Sequence, residues 1–150
     1  MTQSTIWRDR YLDVAKQVST WSKDPSRKIG AVAVGSKGQI LSQGFNGFPR
    51  GILDSADRYN DRPTKYKLVV HAEMNVIYNA TFNGVSLDGA SLYVYGLPVC
   101  SECAKGIIQV GIKTVFIYTD EAVPSIWTDS YELTHGIFEE AGVQCEWIQT

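Results

Sequence analysis

Two short stretches, His71-Ala72-Glu73 and Pro98-Val99-Cys100-Ser101-Glu102-Cys103, limit what this chain can fold into more than any other feature. One histidine and two cysteines can supply three zinc ligands, and Glu73 is a carboxylate beside them that need not bind the metal. A Cys2His set leaves the fourth tetrahedral position open to water. Such a set exists only if two segments distant in sequence meet in space. Cys100 and Cys103, spaced i and i+3, differ by about 60° around a helix and point the same way. In a first helical turn the positive dipole end also favours thiolate over thiol. His71 and Glu73, spaced i and i+2, would stand roughly 200° apart on a regular helix. They share a cavity only if it lies at the helix N-terminus. Lys65 to Val70 reads as extended and the helical pattern begins at His71, so the sequence predicts two helix N-termini converging on one ion.

The competing explanation of C-x-x-C is a closed structural zinc site with four protein ligands. Such sites draw on two ligand pairs, and the remaining candidates, His135 and Cys145, have no partner at ligand spacing. Three cysteines without an export signal argue against a disulfide framework. Cys145, in the apolar-leaning segment 143–148, reads as an unreactive core thiol.

An open zinc position implies hydrolysis, because the metal lowers the pKa of bound water to about 7. Glu73 can take the proton from that water and return it to a ring nitrogen and a leaving amine. H-x-E followed by P-C-x-x-C is the pattern of zinc-dependent nucleobase deaminases, which add water to an amidine carbon and release ammonia.

Along the chain, apolar residues between Thr5 and Trp21 are spaced for a helix. Ser22 to Lys28 reads as a loop, Ile29–Val34 and Gln39–Phe45 as a hairpin about the turn 35–38, and Asp54 to Lys67 as a long, partly ordered connection. A helix follows from His71 to Asn83, a strand over 90–95, a helix over 100–110, a strand over 114–118, a helix over 130–141 and a last strand over 143–148. Strands alternating with helices after an initial hairpin predict an α/β fold, a mixed sheet covered by helices, in one domain over 1–150.

Composition narrows the partners. A net charge of −2 and a pI near 5.6 do not fit a surface that tracks a phosphate backbone, so no nucleic-acid partner is expected, whereas a small anion needs only a few local cations. No apolar run approaches the roughly 20 residues of a membrane span. The N-terminal residues hold no apolar signal core, so the expected location is cytoplasmic.

Ser22-Lys23-Asp24-Pro25, Ile29-Gly30-Ala31-Val32, Gly44-Phe45-Asn46-Gly47-Phe48-Pro49, His71-Ala72-Glu73-Met74-Asn75 and Pro98-Val99-Cys100-Ser101-Glu102-Cys103-Ala104-Lys105 occur in the order that the chain of a deoxycytidylate (dCMP) deaminase would show. The sequence closely resembles that family, within the cytidine deaminase-like superfamily. The resemblance implies a three-layer α-β-α fold with a mixed five-stranded sheet, hydrolysis of dCMP to dUMP, and a homohexamer. It implies zinc on His71, Cys100 and Cys103, proton shuttling by Glu73, sugar contact by Asn46 and base reading by the backbone at Ala72. The phosphate is placed on Ser26 and Arg27, with Tyr118 at the end of its strand. Family members also respond to dCTP with Mg2+ as activator and to dTTP as inhibitor, and the resemblance puts Gly44, Asn46, Gly47 and Arg50 in that effector site. Phe45 stands where the family commonly has tyrosine, which keeps packing and stacking but removes a hydroxyl.

Three other readings compete. A tRNA adenosine deaminase-like editor shares the zinc chemistry but needs a basic surface. A free-nucleoside cytidine deaminase would usually carry cysteine at the position of His71. A non-catalytic nucleotide-binding zinc protein would have no need of Glu73.

Overall fold

The computed structural model describes residues 5–149. In chain order these form α1 (Thr5–Ser19), β1 (Gly30–Val34), β2 (Ile40–Phe45), α2 (Ala56–Asn60), α3 (Arg62–Leu68), α4 (Ala72–Phe82), β3 (Ser91–Tyr95), α5 (Ser101–Gln109), β4 (Thr114–Thr119), a 3-10 turn (Ser125–Trp127), α6 (Thr128–Ala141) and β5 (Gln144–Gln149). The strands join in one sheet, ordered β2-β1-β3-β4-β5. β1 is antiparallel to β2 and β3, while β3, β4 and β5 run parallel. This is the mixed five-stranded α/β sheet that the residue pattern predicts.

Side chains alternate across the pleat and so build two cores. Val32, Val34, Tyr93 and Phe116 face Tyr11, Leu12, Ala15 and Val18 of α1. Ala31, Ala33, Leu92, Val94, Val115 and Ile117 share the larger core with Val76 and Ile77 of α4, Ile107 of α5 and Phe138 of α6. Two helices covering this second face are therefore held by their apolar sides, and their N-termini are left free to meet at one end of the sheet.

The structure corrects several expectations. The stretch 54–67, expected as a long, partly ordered connection, is mostly helical, since it contains α2 and nearly all of α3. Ser55 caps α2, its hydroxyl accepting the Arg58 N–H at 3.4 Å. Pro63 sits in the first turn of α3, where its missing N–H has no intrahelical partner to lose. Lys65 to Leu68 are thus helical, and only residues 69–71 separate α3 from α4. α1 ends at Ser19 rather than Trp21. Cys145 is half-buried rather than sealed, because β5 is the edge strand; burial still pushes its thiol up to about 11.

Candidate active site

α4 and α5 each begin at a metal-type side chain. His71 is the N-cap of α4, with extended backbone angles of φ −69° and ψ 153°, and its carbonyl accepts the Asn75 N–H at 3.0 Å. Cys100 is the N-cap of α5, at φ −74° and ψ 162°, and Cys103 lies one turn on. The cap geometry resolves the spacing problem: because His71 stands before the first helical residue, it and Glu73 need not obey helical azimuth. His71 Nδ1 lies 3.4 Å from Cys100 Sγ and 3.3 Å from Cys103 Sγ, and the three ligand atoms lie within 4.8 Å of one another. Tetrahedral zinc with bonds of about 2.3 Å to sulfur and 2.0–2.1 Å to nitrogen separates these atoms by roughly 3.6 Å. The donor set and its spacing fit zinc.

The electrostatics favour the ligating forms of the sulfurs unevenly. The Cys103 thiol donates to Cys100, and with His71 alongside it draws the Cys100 thiol down to about 4. Cys103, which holds that proton in a buried site, is raised. Hydrogen bonding to Cys100 raises His71 to about 9, against the opposing effect of burial. Glu73 is 4% exposed, and burial pushes its carboxyl up to about 7, with His71 pulling the other way. A carboxyl near neutrality can both take and give a proton.

These groups close one end of a cavity of about 430 Å³, a size suited to a small organic ligand. Asp24, Ser26, Arg27 and Asn46 line it from the loop side and the end of β2. α3 lines a second wall with Arg62, Lys65 and Tyr66, and the segment before α6 lines a third with Pro124, Ile126, Trp127 and, on α6, Tyr131.

Among residues singled out from the sequence, His71, Ala72, Glu73, Cys100, Asn46, Ser26 and Arg27 all line this one cavity, and Cys103 closes the triad behind it. Asn46 is already engaged: its carbonyl Oδ1 accepts the Ile29 N–H at 2.8 Å, and its Nδ2 donates to the Arg27 carbonyl at 2.9 Å. Arg27 is engaged too, donating to the carbonyls of Gly96 at 3.0 Å and of Ala122, and pairing with Glu121 at 3.4 Å. Tyr118 is not brought to the cavity. Strand alternation turns it to the α1 face, where it stacks on Tyr95 with centroids 6.0 Å apart.

The effector-site residues also separate. Gly44 packs against the backbone of α4, Gly47 pairs with Val70 in an isolated bridge, and Arg50 donates to Asn79 Oδ1 at 2.6 Å, with its guanidinium over Phe82. Asn46 instead faces the zinc-side cavity.

Sequence reasoning missed the roles of Asp24, Arg62, Lys65, Tyr66 and Trp127. Asp24 and Lys65 form a buried ion pair at 3.1 Å, and Asp24 Oδ1 also accepts the Ser26 N–H at 2.9 Å. The signal was present in α3: Arg62, Lys65, Tyr66 and Val69 are spaced i, i+3, i+4 and i+7, a single helix face.

Comparison with known proteins agrees with this geometry. The family described as the cytidine and deoxycytidylate deaminase zinc-binding region matches residues 5–119. An uncharacterised deaminase in the luxG 3′ region of Aliivibrio fischeri is 38% identical over 143 residues, covering 95% of this chain and 93% of that protein. The human deoxycytidylate deaminase is 39% identical over 144 residues, covering 91% of this chain and 76% of its own length. The crystal structure of dCMP deaminase from the cyanophage S-TIM5 in complex with dCMP and dUMP is similar at a TM-score of 0.80 and 26% identity, covering 98% of this chain and all of that one. With the matched region spanning most of the fold and taking in both halves of the metal triad, the chain belongs to the cytidine and deoxycytidylate deaminase family.

Proposed function

We propose that this protein hydrolyses dCMP to dUMP and ammonia, supplying dUMP for thymidylate synthesis. One observation carries the reading: a cavity with a His/Cys/Cys triad and a buried carboxylate at one end also carries cationic side chains, Arg62 among them, on another wall. Zinc on His71, Cys100 and Cys103 would supply Lewis-acid activation of a water molecule. Glu73 takes a proton from the attacking water and delivers it to the pyrimidine N3; the second water proton goes to the exocyclic amine. Oxygen is thereby bonded to C4, the C4–N bond breaks, and ammonia leaves. Ala72 opens α4, so its backbone N–H has no partner within the helix and can meet the base edge. Asn46 keeps a lone pair on Oδ1 for a sugar hydroxyl while its other contacts hold the loop.

For the phosphate, the geometry adds to Ser26 and Arg27. Arg27 is held by Glu121 and two carbonyls, and Lys65 by Asp24, whereas Arg62, which lines the cavity from α3, forms no ion pair among the described residues. Arg62 is the cation free to take a 5′-phosphate. The same reading extends to a cytoplasmic homohexamer activated by dCTP with Mg2+ and inhibited by dTTP. Arg50, on the loop that follows β2, would supply a cation to that effector with Gly44 and Gly47, and Asn46, which faces the substrate cavity, would link the two sites.

The direct test is the fall in ultraviolet absorbance of dCMP, with ammonia measured in parallel, using zinc-loaded protein with and without dCTP and Mg2+ and then with dTTP. Turnover of dCMP well above that of deoxycytidine is expected. A zinc-loaded protein inert on dCMP sinks the assignment; turnover indifferent to both triphosphates removes the regulation alone.

A further inference from the structure

Two aromatic side chains at the cavity mouth have no part in either core and none in the chemistry above. Tyr66 belongs to α3, and Trp127 ends the 3-10 turn before α6. They are 52% and 38% exposed, yet their rings meet edge to face, with centroids 6.2 Å apart at 85°. Both line the cavity that ends at His71 and Glu73. Large aromatics left half in water are normally tolerated singly; a contacting pair that joins two walls of a cavity has a geometric effect.

The strap that carries Trp127 is held at both ends. At its start Arg27 grips Glu121 and the Ala122 carbonyl, and at its end Ser130 Oγ accepts the Ser101 N–H at 2.9 Å while the Thr134 hydroxyl donates to the Val99 carbonyl at 2.9 Å. On the facing wall, Tyr66 is set by the buried Lys65 beside it, tied to Asp24. The pair therefore bridges two anchored walls of the cavity.

We infer that Tyr66 and Trp127 are a clasp that selects a free mononucleotide and rejects the same nucleotide held within a strand. This rests on the function proposed above. A nucleotide inside a strand carries phosphodiesters on both its 5′ and 3′ oxygens, so the chain must leave the cavity in two directions. A mononucleotide has a single charged end, which Arg62 can meet at the open side. The bridge admits the second and obstructs the first.

The test uses the zinc-loaded full chain with dCMP and with the dinucleotides d(CpT) and d(TpC), in wild type and in Trp127→Ala, Tyr66→Ala and Trp127→Phe. Wild type is expected to act on dCMP and refuse both dinucleotides. Each alanine variant should raise KM for dCMP by roughly threefold to tenfold, the scale of one aromatic pair, and gain activity on at least one dinucleotide. Trp127→Phe should keep wild-type selectivity, which a merely structural loss would not distinguish. Bound zinc, measured in each variant, reports folding, and Tyr66→Ala carries the test if Trp127→Ala does not fold. Alanine variants that keep both the wild-type KM and the refusal of dinucleotides overturn the clasp, as does a wild type that accepts dinucleotides as readily as dCMP. A wild type inert on dCMP overturns the function itself and this inference with it.

Discussion

The two ends of the cavity are made differently. The chemical end is formed by two helix starts whose helices are clamped into the larger core, so His71, Cys100 and Cys103 inherit their positions from buried Val76, Ile77, Ala104 and Ile107. The recognition end is formed by a seven-residue helix and a strap, with charged and aromatic side chains that reach solvent. Chemistry that tolerates little displacement sits on the half clamped by the core, and the polar and aromatic contacts sit on the other.

Substitutions should separate the halves by the size and kind of loss. The largest effect belongs to Glu73→Ala: kcat should fall about 10³- to 10⁴-fold while metal analysis still finds zinc, and a variant that stays active would end the shuttle assignment. Next is Lys65→Met, which strands the buried Asp24 carboxylate and should cost about 3–5 kcal/mol of stability, read by denaturant unfolding. The double variant Asp24→Asn with Lys65→Met should recover much of that; no recovery would mean the pair is not what holds this wall.

A pH comparison comes third. The folded-state value of Glu73 is about 7 and the ordinary value 4.5. The native state therefore binds the proton more tightly, and stability conferred by the protonated carboxyl, full below about 4.5, is lost as pH rises through 7. In the metal-free protein Glu73→Gln should gain on wild type across that window by up to about 3 kcal/mol, read by denaturant unfolding at a series of pH values. A stability gap of opposite slope would place the carboxyl in its ordinary range. The smallest effect is on Arg62→Ala, which should raise KM for dCMP about tenfold with kcat nearly kept and leave deoxycytidine unaffected. An equal effect on deoxycytidine would move the phosphate elsewhere.

The same division explains what could be read in the sequence. The triad and Glu73 were legible because ligand chemistry restricts both residue type and spacing, and because helix-start geometry follows from where the periodic pattern begins. The sheet was legible because its strands are short apolar runs punctuated by glycine, proline and polar turns. Of the other walls, Ser26 and Arg27 were named through the family resemblance, whereas Asp24 and the members from α3 and the strap were not, because each looks locally like an ordinary surface residue. α3 was hidden because its seven residues are mostly polar, and Tyr118 was misplaced because position in the chain says where a strand ends but not which face a residue takes until the register is known.

Gly44 lies outside the cavity, but its packing bears on everything at the rigid end. A Cβ at this position would stand 2.6 Å from the Val76 backbone nitrogen and 2.7 Å from the Ala72 carbonyl oxygen. Both atoms belong to backbone, which cannot swing aside as a side chain can. β2 and α4 are therefore seated as closely as two main chains allow, and the glycine acts as a gauge block that sets how far α4 stands off the sheet. Thickening that block by one methyl would shift the whole helix, carrying the histidine at its head out of reach of the two sulfurs. Such a variant would lose metal without any change in a ligand, and in an assay it would pass for a regulatory mutant although its defect is one of mechanical tolerance.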